Sequence, residues 1–168
     1  LKGKNINEII DLYPEEILGK SVISRFGKQF PLLFKFIDAK EDLSIQLHPN
    51  DELAKQRHNS FGKTEMWYVM QADESARLVV GFKKYSNQEE YLSHLENKNL
   101  VALLNESPVK KGDVFFLETG TIHAIGAGVV VAEIQQTSDV TYRIYDWDRV
   151  DANGQGRELH TELALDAI

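Results

Sequence analysis

LSIQLHPNDELAKQRHNSFGKTEMWYVM, from Leu43 to Met70, decides how this chain is read. Ser44, Gln46 and His48 stand at every second position, with Ile45 and Leu47 between them. An extended strand sends residues i, i+2 and i+4 to one face, so the three polar side chains share one face and the two aliphatic ones the other. A polar segment follows, in which Asn50 can cap a short helix reaching His58, with Asp51 and Glu52 in its first turn. Glu65 then opens a second alternating run. If the two strands pair or lie close, an amide, an imidazole and a carboxylate converge. The rest of the chain reads as a scaffold that brings one more imidazole, His123, to that point.

Working outward, NINEIIDLYPEEILGK reads as short helical pieces, with Asn5 or Asn7 as a first cap and Pro14 opening a second turn. FPLLFKFIDA (residues 30–39) is a strand, nearly all apolar, with Lys35 inside it. Glu65 to Gln71 and Ala76 to Phe82 are two more, and the QADES between them predicts a hairpin. Asn87 to Leu104 is the longest helical stretch, closed by Pro108. DVFFL, IHAI, GVVVAEIQQ and VTYRIYDW follow as strands separated by short turns, which suggests antiparallel meander or Greek-key connections. DANGQGR is a loop, and HTELALDAI looks like the start of a helix. The expectation is a mainly all-β domain, a sandwich or small barrel with a helical insertion at 87–104; a generic α+β domain is the alternative. Residues 1–168 form one unit, with a helical segment at 1–29, the barrel at 30–148 and a loop with the start of a further segment at 149–168.

A chain of 168 residues can bury one proper core. Its net charge of −7 and lack of a basic patch argue against nucleic acid, and any phosphate site must bring its own cations. There is no cysteine, which removes disulfides and zinc–thiolate sites and fits a reducing compartment. No stretch approaches the ~20 apolar residues of a membrane span. A soluble, cytoplasmic domain is expected, and the sequence is silent on oligomeric state.

Gln46, His48, Glu65 and His123 make a mixed nitrogen and oxygen donor set. It suits Zn²⁺ and is also compatible with Mn²⁺, Fe²⁺ or Co²⁺. So few protein donors leave room for water or substrate, the catalytic rather than the structural pattern. Each residue taken alone reads as an ordinary satisfied polar group; the spacing is what joins them.

The segment Lys110 to Gly128, KKGDVFFLETGTIHAIGAG, resembles the second cupin motif, with Gly112, Gly120 and His123 in place and Glu118 where proline is usual. Gln46, His48 and Glu65 resemble the first motif, with glutamine for the first histidine and a longer gap before the glutamate. QLHPND, GKTEMWYV, GTIHAIGAG and TYRIYDWDR together resemble, in order and spacing, the type I mannose-6-phosphate isomerases (phosphomannose isomerases). The likeness runs over nearly the whole chain. It implies a cupin jelly-roll barrel and one zinc ion held by Gln46, His48, Glu65 and His123. It also implies an active-site arginine at Arg143 and a lysine lining the site at Lys63. Two departures stand out: Glu118 replaces the loop proline, which predicts a looser turn before His123, and family members are longer, so the chain reads as part of a longer enzyme.

Such an enzyme interconverts mannose 6-phosphate and fructose 6-phosphate through an enediol, which calls for acid/base groups and for cations at the developing oxyanion. Thr141, Arg143 and Tyr145 share a strand face, so Arg143 can point inward, although on the residues alone a surface ion pair reads better. Lys35 and Lys63 are the other candidate cations, with Lys35 equally readable as an edge lysine reaching for solvent. The resulting expectation places Arg143, Lys63 and Glu133 in catalysis and Ser44, Lys35, Lys63 and Arg143 against the substrate. Glu133 reads as acid/base group or cation holder, with a buried ion pair as its plainer reading. Two other classes stay open. One is a metal cupin that binds a sugar phosphate without turnover; the other is Fe²⁺ oxidoreductase chemistry on the same fold. His58, His94 and His160 read as surface residues, and Trp67, Tyr68 and Trp147 as core or wall.

Overall fold

The computed structural model describes residues 1–168. Three short helices lead in: α1 (Ile6–Leu12), α2 (Pro14–Leu18) and α3 (Lys20–Phe26). Asn5 and Glu8 form a reciprocal capping box on α1, satisfying two amides that the first helical turn leaves free. The rest of the chain is β1 (Leu32–Ala39), β2 (Ile45–Leu47), α4 (Asp51–His58), β3 (Glu65–Ala72), β4 (Arg77–Phe82), α5 (Gln88–Glu96), β5 (Leu104–Pro108), β6 (Val114–Leu117), β7 (His123–Ile125), β8 (Val129–Gln136), β9 (Tyr142–Tyr145) and α6 (Thr161–Leu165). A 3₁₀ turn, Leu100–Leu103, joins α5 to β5.

The strands build two antiparallel sheets, β1-β8-β3-β6 and β5-β4-β7-β2-β9. Neither closes on itself, so the expected barrel is an open pair of sheets. Strands that follow one another in sequence mostly change sheets, and only β4 and β5 pair with their chain neighbour. The meander and the β3–β4 hairpin are therefore not formed. Val69 of β3 and Leu78 of β4 instead face each other in one core between the sheets, with Ala39, Trp67, Leu117, Ile125, Val129 and Val131. Burying two apolar faces against each other removes more surface from water than edge pairing of the same strands would.

The second sheet has a second core on its back. Ile45, Leu47, Val79, Ala124, Tyr142 and Ile144 pack there against Tyr91 of α5, Leu100 and Ala164 of α6. The back of the first sheet has no such cover: Phe34, Phe36, Val114 and Phe116 are all exposed. The helical stretch expected from Asn87 to Leu104 stops at Asn97, with Lys98 in the left-handed region at φ 53°. Leu104–Pro108, which starts where that helical stretch was expected to end, is a strand; its sequence LNESP has little strand propensity, and an edge position tolerates its proline.

Candidate functional site

Strand alternation delivers the site residues to the space between the sheets. Ile45 and Leu47 are fully buried in the core behind the second sheet, so Ser44, Gln46 and His48 point forward. Gln46 lies opposite both His123 of β7 and Arg143 of β9. From the first sheet, Glu65 stands at the start of β3, and Lys35 and Glu133 are register partners on β1 and β8.

Two close backbone approaches fix these elements together. A side chain at Gly62 would sit 2.6 Å from the Asn50 carbonyl carbon, and only glycine lets the segment carrying Lys63 and Glu65 cross there. Gly120, at φ 81°, donates its amide to the His48 carbonyl at 2.8 Å and lies against Ala167 of the C-terminal segment. The turn before His123 is closed by the Thr121 amide on the Glu118 carbonyl at 3.1 Å. Glu118 in place of proline has not opened it, because the turn's hydrogen bond and the glycine do the work.

His48, Glu65 and His123 are almost completely buried and converge so that one donor atom from each lies within 4.8 Å of the others. Each imidazole has its Nδ1 on a backbone carbonyl: His48 on Val140 at 2.9 Å and His123 on Thr121 at 2.8 Å. A carbonyl can only accept, so Nδ1 carries the proton and Nε2 presents a bare lone pair. The two Nε2 atoms face the Glu65 carboxylate at 3.2 and 3.7 Å. Neither Nε2 has a hydrogen-bond donor, nor has Glu65 Oε2. Burial, reinforced by Lys63, pushes His48 down to about 3. Burial and the neighbouring His48 push His123 down to about 4. Both rings are thus neutral near pH 7. Three buried side-chain atoms without a partner, two of them bare imidazole nitrogens, are a cost that a cation removes. The donor set fits a divalent metal ion.

A cavity of about 450 Å³ opens beside this cluster, lined by Gln46, Glu65 and His123 together with Lys35, Ser44, Lys63, Glu133 and Arg143. Lys63 is buried and donates to Thr141 Oγ1 at 3.1 Å; burial, with help from Lys35, holds its ammonium below the usual lysine range. Lys35 donates to Glu133 at 2.7 Å and to Gln135. The second oxygen of Glu133 takes the Trp67 indole N–H at 3.0 Å. With both oxygens engaged, Glu133 holds a cation in place, and the geometry favours that part of its reading over acid/base duty. Arg143 donates Nε to Ser44 Oγ at 3.3 Å and one N–H to the Glu158 carbonyl at 3.0 Å. It therefore points inward rather than into a surface ion pair.

Every residue marked in the sequence for metal, substrate or catalysis lies in or beside this one cavity. Among its lining residues, three polar or charged ones went unmarked as site residues: Thr141, Asp139 and Arg157. Thr141 had a signal, since it shares the strand face of Arg143. Asp139 and Arg157 come from turns whose placement depends on the whole fold. His160 is also not a free surface residue: its Nδ1 accepts the Arg143 amide at 3.2 Å, and its own amide binds the Arg143 carbonyl. His58 is exposed but meets the Tyr142 hydroxyl at 2.9 Å. Trp67 is wall, with its edge against the His123 ring.

Residues 1–74 match the family model described as "Phosphomannose isomerase type I, catalytic domain". A Bacillus subtilis protein named "Probable mannose-6-phosphate isomerase GmuF" is 43% identical over 169 residues, covering 100% of this chain and 52% of that protein. The mannose-6-phosphate isomerase of Streptococcus mutans is 43% identical, covering 99% and 51%. The solved structure of the mannose 6-phosphate isomerase from Bacillus subtilis superimposes with a TM-score of 0.84 at 39% identity, over 95% of this chain and 50% of that one. The chain spans about half the length of the curated relatives it matches. No helix is long and apolar enough to cross a membrane. The chain is thus similar along its whole length to about half of each of these mannose-6-phosphate isomerases, and it shares the fold of the solved one.

Proposed function

We propose that this chain carries the site of an aldose–ketose isomerase that interconverts mannose 6-phosphate and fructose 6-phosphate. One observation carries the reading: three unpartnered buried acceptors lie beside a cavity that also carries Lys35, Lys63 and Arg143. Gln46, His48, Glu65 and His123 would hold the metal, and zinc suits their nitrogen and oxygen donors. When bound, the ion supplies Lewis acidity toward the sugar oxygens. The pair of sheets is then read as a cupin jelly roll, one metal-binding domain, and the absence of cysteine fits a cytoplasmic setting.

The remaining steps belong to side chains. Removal of the C2 proton of the open-chain aldose pushes electrons onto the C1 oxygen, giving an enediolate. Protonation of that oxygen, return of a proton to C1 and loss of the O2 proton complete the ketose. Lys63, buried and poised to give up its proton more readily than a solvated lysine, stands where it can stabilise or protonate an enediolate oxygen. Arg143 keeps its charge at any working pH and offers its fork to substrate oxygens. Ser44, whose hydroxyl accepts from Arg143, holds that fork in place, and Glu133 does the same for Lys35.

The test is conversion of mannose 6-phosphate to fructose 6-phosphate by the zinc-loaded chain, with and without a chelator. Chelator-sensitive turnover supports the isomerase. Binding of mannose 6-phosphate without turnover would replace it with the binding-module reading.

A further inference from the structure

Beyond β9, the edge strand of the second sheet, the chain sends a second guanidinium into the cavity. β9 ends at Tyr145, and Asp146, the next residue, is 6% exposed. Asp146 then enters a tight turn through Trp147 and Asp148, both at positive φ (56° and 53°), closed by the Arg149 amide on the Asp146 carbonyl. The chain goes out through a loop pinned by Asp151, whose carboxylate accepts the amides of Asn153 at 2.8 Å and Gln155 at 2.9 Å. It returns at the Val150–Gly156 bridge, one residue before Arg157. The Asp146 carboxylate receives Arg149 at 2.6 Å and Arg157 Nε at 2.7 Å, and a second Arg157 nitrogen as well. One carboxylate thus anchors two arginines, and Arg157 turns its unused edge to the same cavity as Arg143.

A donor count shows what that edge can do. A guanidinium has five N–H groups. Arg143 spends two, on Ser44 and Glu158, and Arg157 spends two, both on Asp146. Three remain on each, and the two cations are close enough that the charge of Arg157 adds to burial in lowering the affinity of Arg143 for its proton. Two like charges facing one cavity, in a chain of net charge −7, call for an anion between them. Arg157 is 53% exposed and Lys63 only 5%, so the arginine pair lies toward the mouth and the metal cluster toward the floor.

We propose that Arg157, held by Asp146 and acting with Arg143, forms the subsite for the phosphomonoester of the substrate. Building on the isomerase reading, this assigns Arg157 a binding role that the sequence did not signal. The sugar end then faces the metal cluster and Lys63, while the phosphate stays at the rim, outside the chemistry.

The test is calorimetric titration of the zinc-loaded chain with mannose 6-phosphate, inorganic phosphate and mannose, in wild type, R157Q, R157K and R149Q. Losing charge-assisted hydrogen bonds to a dianion should weaken mannose 6-phosphate and phosphate roughly tenfold to a hundredfold in R157Q, with mannose unchanged. R157K keeps the charge without the fork and should fall between the two. R149Q also removes an arginine from Asp146 but none from the cavity, and should bind like wild type. Equal affinity of R157Q and wild type for mannose 6-phosphate overturns the subsite, as does a loss in R149Q matching that in R157Q, which would make the role structural. If R157Q does not fold, R157K against R149Q decides. Arg157-dependent phosphate binding without isomerase turnover would leave the subsite standing and remove the isomerase. Turnover with affinity indifferent to Arg157 would do the reverse, and a wild type that binds no phosphate overturns the subsite.

Discussion

The space between the two sheets has two ends built on opposite principles. At one, Trp67, Val69, Leu78, Leu117, Ile125, Val129 and Val131 fill the gap with apolar side chains that need nothing further. At the other, Glu65, His123, Glu133 and Gln135 on the strands and His48 and Lys63 just outside them are all buried and polar. Burial of apolar surface stabilises the fold, at about 25 cal/mol per Å². Burial of unpartnered acceptors costs stability and is tolerated where the site has a use for them. The difference teaches that one end holds the protein together while the other is held together by it.

Glu65→Gln should break that division most visibly. An amide N–H₂ can donate to both bare Nε2 atoms, so the metal-free chain should melt no lower than wild type. Loss of the anionic donor should weaken zinc binding by more than about a hundredfold, with turnover falling alongside. Metal titration beside a thermal melt checks both. A Glu65→Gln protein that kept its zinc would remove the carboxylate from the metal site.

Leu78→Ala acts at the other end. Leu78 is fully buried between the sheets, and its truncation should cost about 2–5 kcal/mol in denaturant unfolding. Zinc affinity of the folded fraction should not change. A large change in zinc affinity would show that the two ends are coupled and the division false.

Lys35→Met sits on the border. It leaves the buried Glu133 carboxylate with the Trp67 indole as its one remaining donor, at a cost of about 1–2 kcal/mol, kept small because Lys35 is partly exposed. Adding Glu133→Gln should recover most of it, and the double-mutant cycle isolates the pair. No recovery would mean that Lys35 matters through the cavity and not through Glu133.

What the sequence disclosed follows the same division. Period-two alternation placed Gln46, His48, Glu65 and Lys35 on the inward face, because a strand's faces depend only on local geometry. Asn50 capping α4 through the Leu53 amide was equally local. Partner choice between strands was not. QADES has a hairpin's composition, yet β3 and β4 end in different sheets because their apolar faces bury each other across the gap. LNESP became a strand only because β4 offered it an edge. Arg157 reaches the cavity through a loop anchored on Asp146, eleven residues back, and no local pattern announces that return.

The smallest predicted effect tests the outer face of the first sheet. Phe36 is the chain neighbour of Lys35, but alternation turns it outward, where it is 78% exposed on a face shared with Phe34, Val114 and Phe116. A side chain that buries little on folding has little to lose, so Phe36→Gln should change stability by less than about 0.5 kcal/mol. In a chain of this size that is a shift of roughly 1–2 °C in Tm. The contrast with Leu78→Ala is the point of the measurement: both remove a large apolar side chain from a strand, and only burial separates them. A loss for Phe36→Gln that approaches the one at Leu78 would mean that the outer face is covered in solution. Dependence of that loss on protein concentration would then identify the cover as a second copy of the chain.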